Sequence, residues 1–398
     1  MTLKVLAIGD IGNIIHTISK YTKAEIHIIN FFKDGAGTYT YEKDVETFSN
    51  YKISDHVRRI NEIADDYDVC LTMGTGERIA YLSDLNYTTF YVGRDIDAPR
   101  FIKNSKEEWF NEPLHQLNFL ERWFYKKTFD NAICHLAYTW VYEHLKKYTN
   151  SGIKMDMVPV NPDIFKPDLE PLKFKKDKFT FFSPQRMGKP KGTDLIWKAL
   201  QLCKSDFEII QVEWFDVSTN EELQIKEELI KTKPKQIRFV PMIKREDMAR
   251  YYNYADAVLG NMRIGTYALI ELEGILCRKP VLQFTNKKMK IHTNGNEIES
   301  PMLPTSNEPK SIAEVIDKIV LDKKFRDELF EKEYKFAKEI SDPIKVAKWW
   351  DEFFEDIHKK YPKIRRKSSS LRIRLRLLLI LVGNRIYIKK NKKNVYLK

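Results

Sequence analysis

Short runs rich in β-branched and aromatic residues recur along the chain, each followed by a longer stretch with helical spacing of its apolar residues. The first group is LKVLAIG (3–9), EIHIIN (25–30), DVCLTMG (68–74) and TTFYVG (88–93). The second is KFTFFS (178–183), DFEIIQV (206–212), IRFVP (237–241), DAVLG (256–260) and KPVLQF (279–284). Nearly continuous apolar strands joined by helix-length connections predict parallel sheets covered by crossover helices, an α/β class. Between the groups, IFKPDLEPLKFKKDKF (164–179) breaks the period with two prolines and a cluster of lysines. The expected division is two Rossmann-like domains, 1–168 and 169–335, then C-terminal helices over 336–360 with the option of crossing back to the first domain, then a tail over 361–398. Asp342-Pro343 is the expected break between the last two helices. Sheets of this kind bind ligands beyond the carboxyl ends of their strands, so two of them facing one another would place chemistry in a cleft.

The formal charge of +12 suggests a nucleic-acid binder until it is divided along the sequence. From Lys359 to Lys398 there are 15 Lys and Arg and no Asp or Glu, which leaves the body at about −3. A near-neutral body with a basic tail predicts a tethered protein, with no nucleic-acid partner, since a reader of nucleic acid carries its charge on a folded face. Within the tail, Leu377 to Val382 is an apolar run set among cations. Lys and Arg stems snorkel around such a run, and each cation near an anionic leaflet contributes about 1 kcal/mol. Attachment to an anionic membrane surface is the expectation; a disordered basic arm and docking on a partner are the alternatives. NEPLHQLNFLERWFYKKTF (111–129) reads either as an interfacial amphipathic helix or as a core-facing helix with a basic outer side. The first residues form a strand and lack the layout of a signal peptide, and no apolar run approaches the roughly 20 residues needed to span a bilayer. The expected location is therefore cytoplasmic, peripheral on the inner face of the cell membrane. Cys70, Cys134, Cys203 and Cys277 are widely spaced in apolar segments and read as reduced core thiols.

SPQRMGKPKGTDLIWKAL (183–200) carries the densest chemistry. A strand ends, a loop with Gly188, Pro190 and Gly192 follows, and a helix opens near Thr193. Unpaired amides at a helix start and the whole charges of Arg186 and Lys191 suit a diphosphate, although two ordinary surface cations beside a loop would look the same. Further on, IRFVPMIKREDMARYYNYADAVLGNM (237–262) reads as strand, turn, helix and strand, and RIGTYALIELEGILCRKPVLQF (263–284) as a helix carrying Glu271 and Glu273 before a Lys-Pro pair. In that order, with MVPVNPDIFKP (157–167) ahead of them, these segments resemble the GT-B glycosyltransferases of retaining family 4 over most of the chain.

The resemblance implies a fold of two Rossmann-like domains across a cleft, the first acceptor-side and the second nucleotide-sugar-binding. It implies transfer of a sugar from a nucleotide-sugar donor to a glycan or lipid-linked acceptor, with retention, no cofactor and no metal. Arg186, Lys191 and Gly192 are similar to the family's phosphate clamp, Glu273 to its ribose-binding glutamate, and the segment near Met242 to the backbone that holds the base. Eight positions before Glu273 the family has a second glutamate that meets the donor sugar, where this chain has Gly265. Backbone amides at Gly265, Thr266 and Tyr267 are the expected substitute, on the ground that glycine leaves room for a ligand. The alternative is a non-catalytic GT-B protein that binds a nucleotide sugar or a partner. In the first domain, AIGDIGNIIHTISKY (7–21) offers Gly9 and Gly12, with Gly12 the candidate donor-phosphate contact, and YVGRDIDAPRF (91–101) offers Asp95 as a group to orient or deprotonate an acceptor hydroxyl. A plain Arg94–Asp95 pair that fixes the turn is the bland reading there. Gly74, Thr75 and Gly76 form a possible lip at another strand end.

Overall fold

The computed structural model describes residues 2–31, 45–49, 52–170, 172–173, 176–293, 295–366, 375–376 and 378. The chain forms two compact units, one built from Met1–Met155 with Ile344–Lys398 and the other from Asp156–Pro343.

The first unit holds a parallel sheet of seven strands: β1 (Lys4–Ile8), β2 (Glu25–Asn30), β3 (Glu46–Thr47), β4 (Val69–Met73), β5 (Tyr87–Tyr91), β6 (Cys134–Ala137) and β7 (Gly152–Lys154), in the order β3-β2-β1-β4-β5-β6-β7. Its helices are α1 (Ile14–Ser19), α2 (Ile53–Ile63), α3 (Gly76–Leu82), α4 (Arg94–Asp97), α5 (Phe119–Asp130) and α6 (Thr139–Leu145). Helices cover both faces of such a sheet, which is why Val5–Ile8, Val69–Met73 and Tyr87–Tyr91 are buried without alternation. The sheet reverses direction between β1 and β4, and glycine permits the close approach there: a Cβ on Gly76 would stand 1.9 Å from the Ile8 carbonyl oxygen, and one on Gly9 2.5 Å from that of Met73. Helix α5 turns Phe124, Tyr125 and Phe129 inward and leaves Phe119 and Trp123 exposed. The core-facing reading of that segment describes its packing.

The second unit holds β8 (Phe179–Ser183), β9 (Phe207–Val212), β10 (Ile237–Val240), β11 (Ala257–Leu259) and β12 (Val281–Leu282), all parallel, in the order β10-β9-β8-β11-β12. A hairpin, β13 (Ile291–Thr293) and β14 (Asn296–Ile298), follows. Helices α7 (Thr193–Leu200), α8 (Asn220–Lys231), α9 (Met248–Tyr254), α10 (Leu269–Leu276), α11 (Pro309–Leu321) and α12 (Lys323–Ser341) surround the sheet. The sequence-based boundaries at 168 and 335 fall inside this unit, because backbone bonds tie its two ends together. Val158 N–H donates to Ile340 O at 3.0 Å, and the Asp156 carboxylate accepts His292 N–H at 2.7 Å. Met157–Val160 runs outside the sheet and makes this seam.

The last helix, α13 (Pro343–Lys360), begins at the predicted proline and, from Ile344, is part of the first unit. Trp350 is fully buried and meets Phe90 edge-on at 5.7 Å, and the Asp351 carboxylate accepts the amides of Lys23 and Ala24. Of the tail, only 361–366, 375, 376 and 378 are described, so the Leu377–Val382 run lies outside the described residues apart from Leu378. Three of its cations rest on the first unit: Arg365 against Asp65 and Asn61, Arg366 against Asn131, and Arg376 against Asp84. Among the described residues no helix is long and apolar enough to cross a membrane. Cys70, Cys134 and Cys277 are buried free thiols, and Cys203 is a half-buried one.

Candidate functional site

Strand β8 stands at the turning point of the second sheet, with β9 and β10 continuing on one side and β11 and β12 on the other. The carboxyl ends of the strands at this point are where sheets of this topology bind ligands. Arg186 and Lys191 both lie on the loop leaving β8. Met187 N–H donates to Trp214 O at 2.8 Å, which holds Arg186 beside the loop after β9, where its guanidinium pairs with Asp216 at 2.5 Å. Sequence reasoning had no signal for Asp216, since only folding brings the two loops together. Lys189–Lys191 make a single 3-10 turn, and Gly192 at φ +72° turns the chain into α7. A Cβ at Gly192 would lie 2.9 Å from the Met262 carbonyl carbon, so both φ and packing demand glycine.

The loop after β11 is locked to this turn. Met262 N–H donates to Lys191 O at 3.1 Å, and Arg263 reaches both oxygens of Asp194, in the first turn of α7, at 2.7 Å. Beneath it lies Glu271, fully buried, accepting the amides of Asn261 at 3.1 Å and Ala268 at 2.9 Å. Burial raises the Glu271 carboxyl above its ordinary range, with the Lys191 charge opposing the shift. Glu271 thus shapes the segment from 261 to 268, a role the sequence left unassigned because Glu273 drew the attention. Glu273 itself is 1% exposed and pairs with the buried Arg245, while the Tyr252 hydroxyl donates to its Oε2 at 3.3 Å. Contact with a ribose would require that set to open.

Gly265 has φ +84°, but the room beside it is taken: a Cβ would meet Asn286 Cβ at 2.7 Å, and Asn286 N–H donates to Gly265 O at 2.9 Å. The glycine therefore answers a packing demand, a correction to the expectation that it leaves space for a ligand. Thr266 is buried beside it, and Tyr267 donates its hydroxyl to Asp156 O and packs edge-on against Phe336. Met242 is exposed on the loop after β10, separated from the Arg186 loop by β9.

In the first unit, Gly12 lies in the turn after β1 at φ +67°. Asp10 folds back across that turn, and its carboxylate oxygens accept the amides of Ile15 at 2.9 Å and His16 at 3.0 Å. A resident anion thus occupies the first turn of α1, which argues against a donor phosphate there. Asp95 lines a pocket at the ends of β4 and β5, about 430 Å³ with its open mouth, together with Gly74, Thr75, Glu77, Arg78 and Arg100. Folding joins two segments that the sequence reading kept apart. Arg94 pairs with Glu107, so the expected Arg94–Asp95 turn clamp is replaced by a longer-range pair. Solvent reaches Asp95 through the pocket mouth, yet protein packs round it; burial holds its carboxyl above the usual range, against the pull of Arg100, Arg78 and Arg94.

Burial pushes the Glu77 carboxyl up to about 7, the Asp95 charge adding to the shift and the Tyr91 hydrogen bond, Arg78 and Arg100 opposing it. An ordinary glutamate titrates near 4.5, so the folded state holds this proton more tightly than the unfolded chain. The associated stability is complete below about 4.5 and is lost as pH rises through about 7. Glu77→Gln should therefore flatten the fall in stability across that window, measured by urea melts at stepped pH. Parallel slopes for both proteins would contradict the shift.

Two doubly wound parallel sheets in one chain, with a basic glycine turn at the reversal point of the second, are the build of the GT-B fold. Residues 165–336 match the family Glycosyl transferases group 1, and that segment is a domain of this kind. No curated protein matches the chain. Among solved structures of the same fold is Anabaena HepE in complex with UDP-glucose, at 16% identity and TM-score 0.63, covering 89% of this chain and 100% of that one. Sucrose-phosphate synthase from Thermosynechococcus elongatus aligns at 13% identity and TM-score 0.62, over 90% of this chain and 100% of its own. A glycosyltransferase from Rickettsia africae aligns at 17% identity and TM-score 0.55, over 90% and 99%.

Proposed function

We propose that the protein transfers a sugar from a nucleotide-sugar donor to a hydroxyl of a glycan or lipid-linked acceptor, with retention of configuration and without a metal ion. The observation that carries this reading is the placement of Arg186 and Lys191 on one short loop, at the reversal point of a doubly wound sheet and at the head of α7. Two fixed cations there would neutralise a donor diphosphate and stabilise it as charge grows on the departing nucleotide. That is the task a divalent ion performs elsewhere. The UDP and UDP-glucose bound by HepE support a nucleotide sugar as donor. In a front-face reaction the departing phosphate accepts the acceptor proton, so no side-chain nucleophile is needed, and Asp95 of the first unit is assigned to orient the acceptor hydroxyl. The basic tail is the proposed attachment to the inner face of the cell membrane.

Purified protein supplied with a panel of nucleotide sugars and lipid-linked acceptors should release nucleoside diphosphate from one donor class, with or without EDTA. The product anomer, read by NMR, should match that of the donor. Inversion would remove the retaining assignment, loss of turnover in EDTA the metal-free one, and binding of nucleotide without turnover of any donor the transfer itself.

A further inference from the structure

The pocket at the ends of β4 and β5 is lined by both signs of charge. Arg78 and Arg100 each direct Nη1 at the Tyr125 hydroxyl, at 2.9 and 3.1 Å, and each guanidinium carbon lies 5.4 Å from that ring centroid. One phenol thus fixes two like charges side by side, Arg78 buried and Arg100 half-buried at the pocket wall. Glu77 and Asp95 line the same pocket, and Glu77 accepts the Tyr91 hydroxyl at 3.2 Å. Among the described residues neither carboxylate comes within 4.0 Å of the Arg100 guanidinium. Arg100 spends one donor on Tyr125, which leaves most of its fork for something else. Phe101 supplies an apolar wall.

We propose that this pocket is an acceptor subsite that takes an acidic saccharide, with the carboxylate or phosphate of the sugar on Arg100 and Arg78 and ring hydroxyls on Glu77 and Asp95. A guanidinium fork matches an oxyanion bidentately, a carboxyl group hydrogen-bonds sugar hydroxyls in either protonation state, and the C–H face of a sugar ring packs on an aromatic wall. A neutral sugar would desolvate Arg100 with no new counter-charge. Bare phosphate would reach the arginines but offer Glu77 and Asp95 no hydroxyl partners of a sugar ring. As an acceptor subsite, the assignment rests on the transferase reading above.

The test is calorimetric titration of the full-length protein with glucuronate, glucose 6-phosphate, glucose and inorganic phosphate, with UDP as a separate arm. Glucuronate or glucose 6-phosphate should bind, and glucose and phosphate should bind roughly tenfold more weakly or worse. Arg100→Ala should weaken the acidic sugar by roughly tenfold or more, Arg100→Lys should recover part of that loss, and neither should change UDP affinity. Equal binding of glucose, equal binding of phosphate, or an Arg100→Ala protein that folds and binds acidic sugar normally would each overturn the proposal. Acidic-sugar binding without UDP binding would sink the donor reading, and with it the acceptor assignment, while leaving the chemistry of the pocket in place.

Discussion

Arg186→Ala should lower donor turnover by about 10²–10³-fold and leave the melting temperature close to that of the parent. Charge stabilisation of a departing group by one preorganised donor is worth about that much. The side chain is held by Asp216, whose carboxylate is itself substantially exposed, so losing the pair costs little stability. Lys191→Ala should reduce turnover comparably, and its turn should survive because Lys191 holds Met262 through its backbone carbonyl. Lys191 also offsets the charge of Glu271, so a modest fall in stability is expected in that variant alone. Nucleoside diphosphate release and thermal melting, measured on the same preparations, separate the two effects. Near-parent turnover in both variants would remove the clamp from the mechanism.

The second large effect belongs to Arg245 and Glu273. Both are almost fully buried, and removing one partner strands a charge in the interior, which costs about 3–5 kcal/mol. Glu273→Ala and Arg245→Ala should each lower the unfolding free energy by that order in urea titrations. The double replacement Arg245→Met with Glu273→Leu should recover most of it, because well-packed apolar side chains often substitute for a buried pair at no cost. Nucleotide affinity in the double variant then divides the roles. Recovered binding assigns the pair to the architecture, and persistent loss assigns the carboxylate to the ribose.

The strands with long β-branched or aromatic runs, such as FTFFS and FEIIQV, were legible because burial on both faces leaves a continuous apolar signature. β6, with CHLA, and β7, with GIK, carry no such signature and are strands because β5 offers β6 an edge to pair with and β6 in turn offers one to β7. The basic glycine turn was legible because it is local: Arg186, Lys191 and Gly192 follow one strand within a few residues. The pocket of Glu77, Asp95, Arg100 and Tyr125 was not, since its members come from three separate segments. Gly265 shows the other limit. A glycine announces that a Cβ is unwelcome, but whether a ligand or Asn286 stands in that place is decided by a residue 21 positions away.

Because the first unit is assembled from both ends of the chain, its synthesis is interrupted. When Met155 leaves the ribosome, Phe90 still lacks the Trp350 ring that packs on it, and Lys23 and Ala24 lack the carboxylate that receives their amides. Everything from Asp156 to Pro343 must be made first, roughly ten to forty seconds at about 5–20 residues per second. The amino-terminal sheet, with all seven strands made, must persist through that interval with the apolar seam that α13 will cover still open. The intervening unit, whose two ends bond to each other through Val158 and Ile340, can close on itself meanwhile.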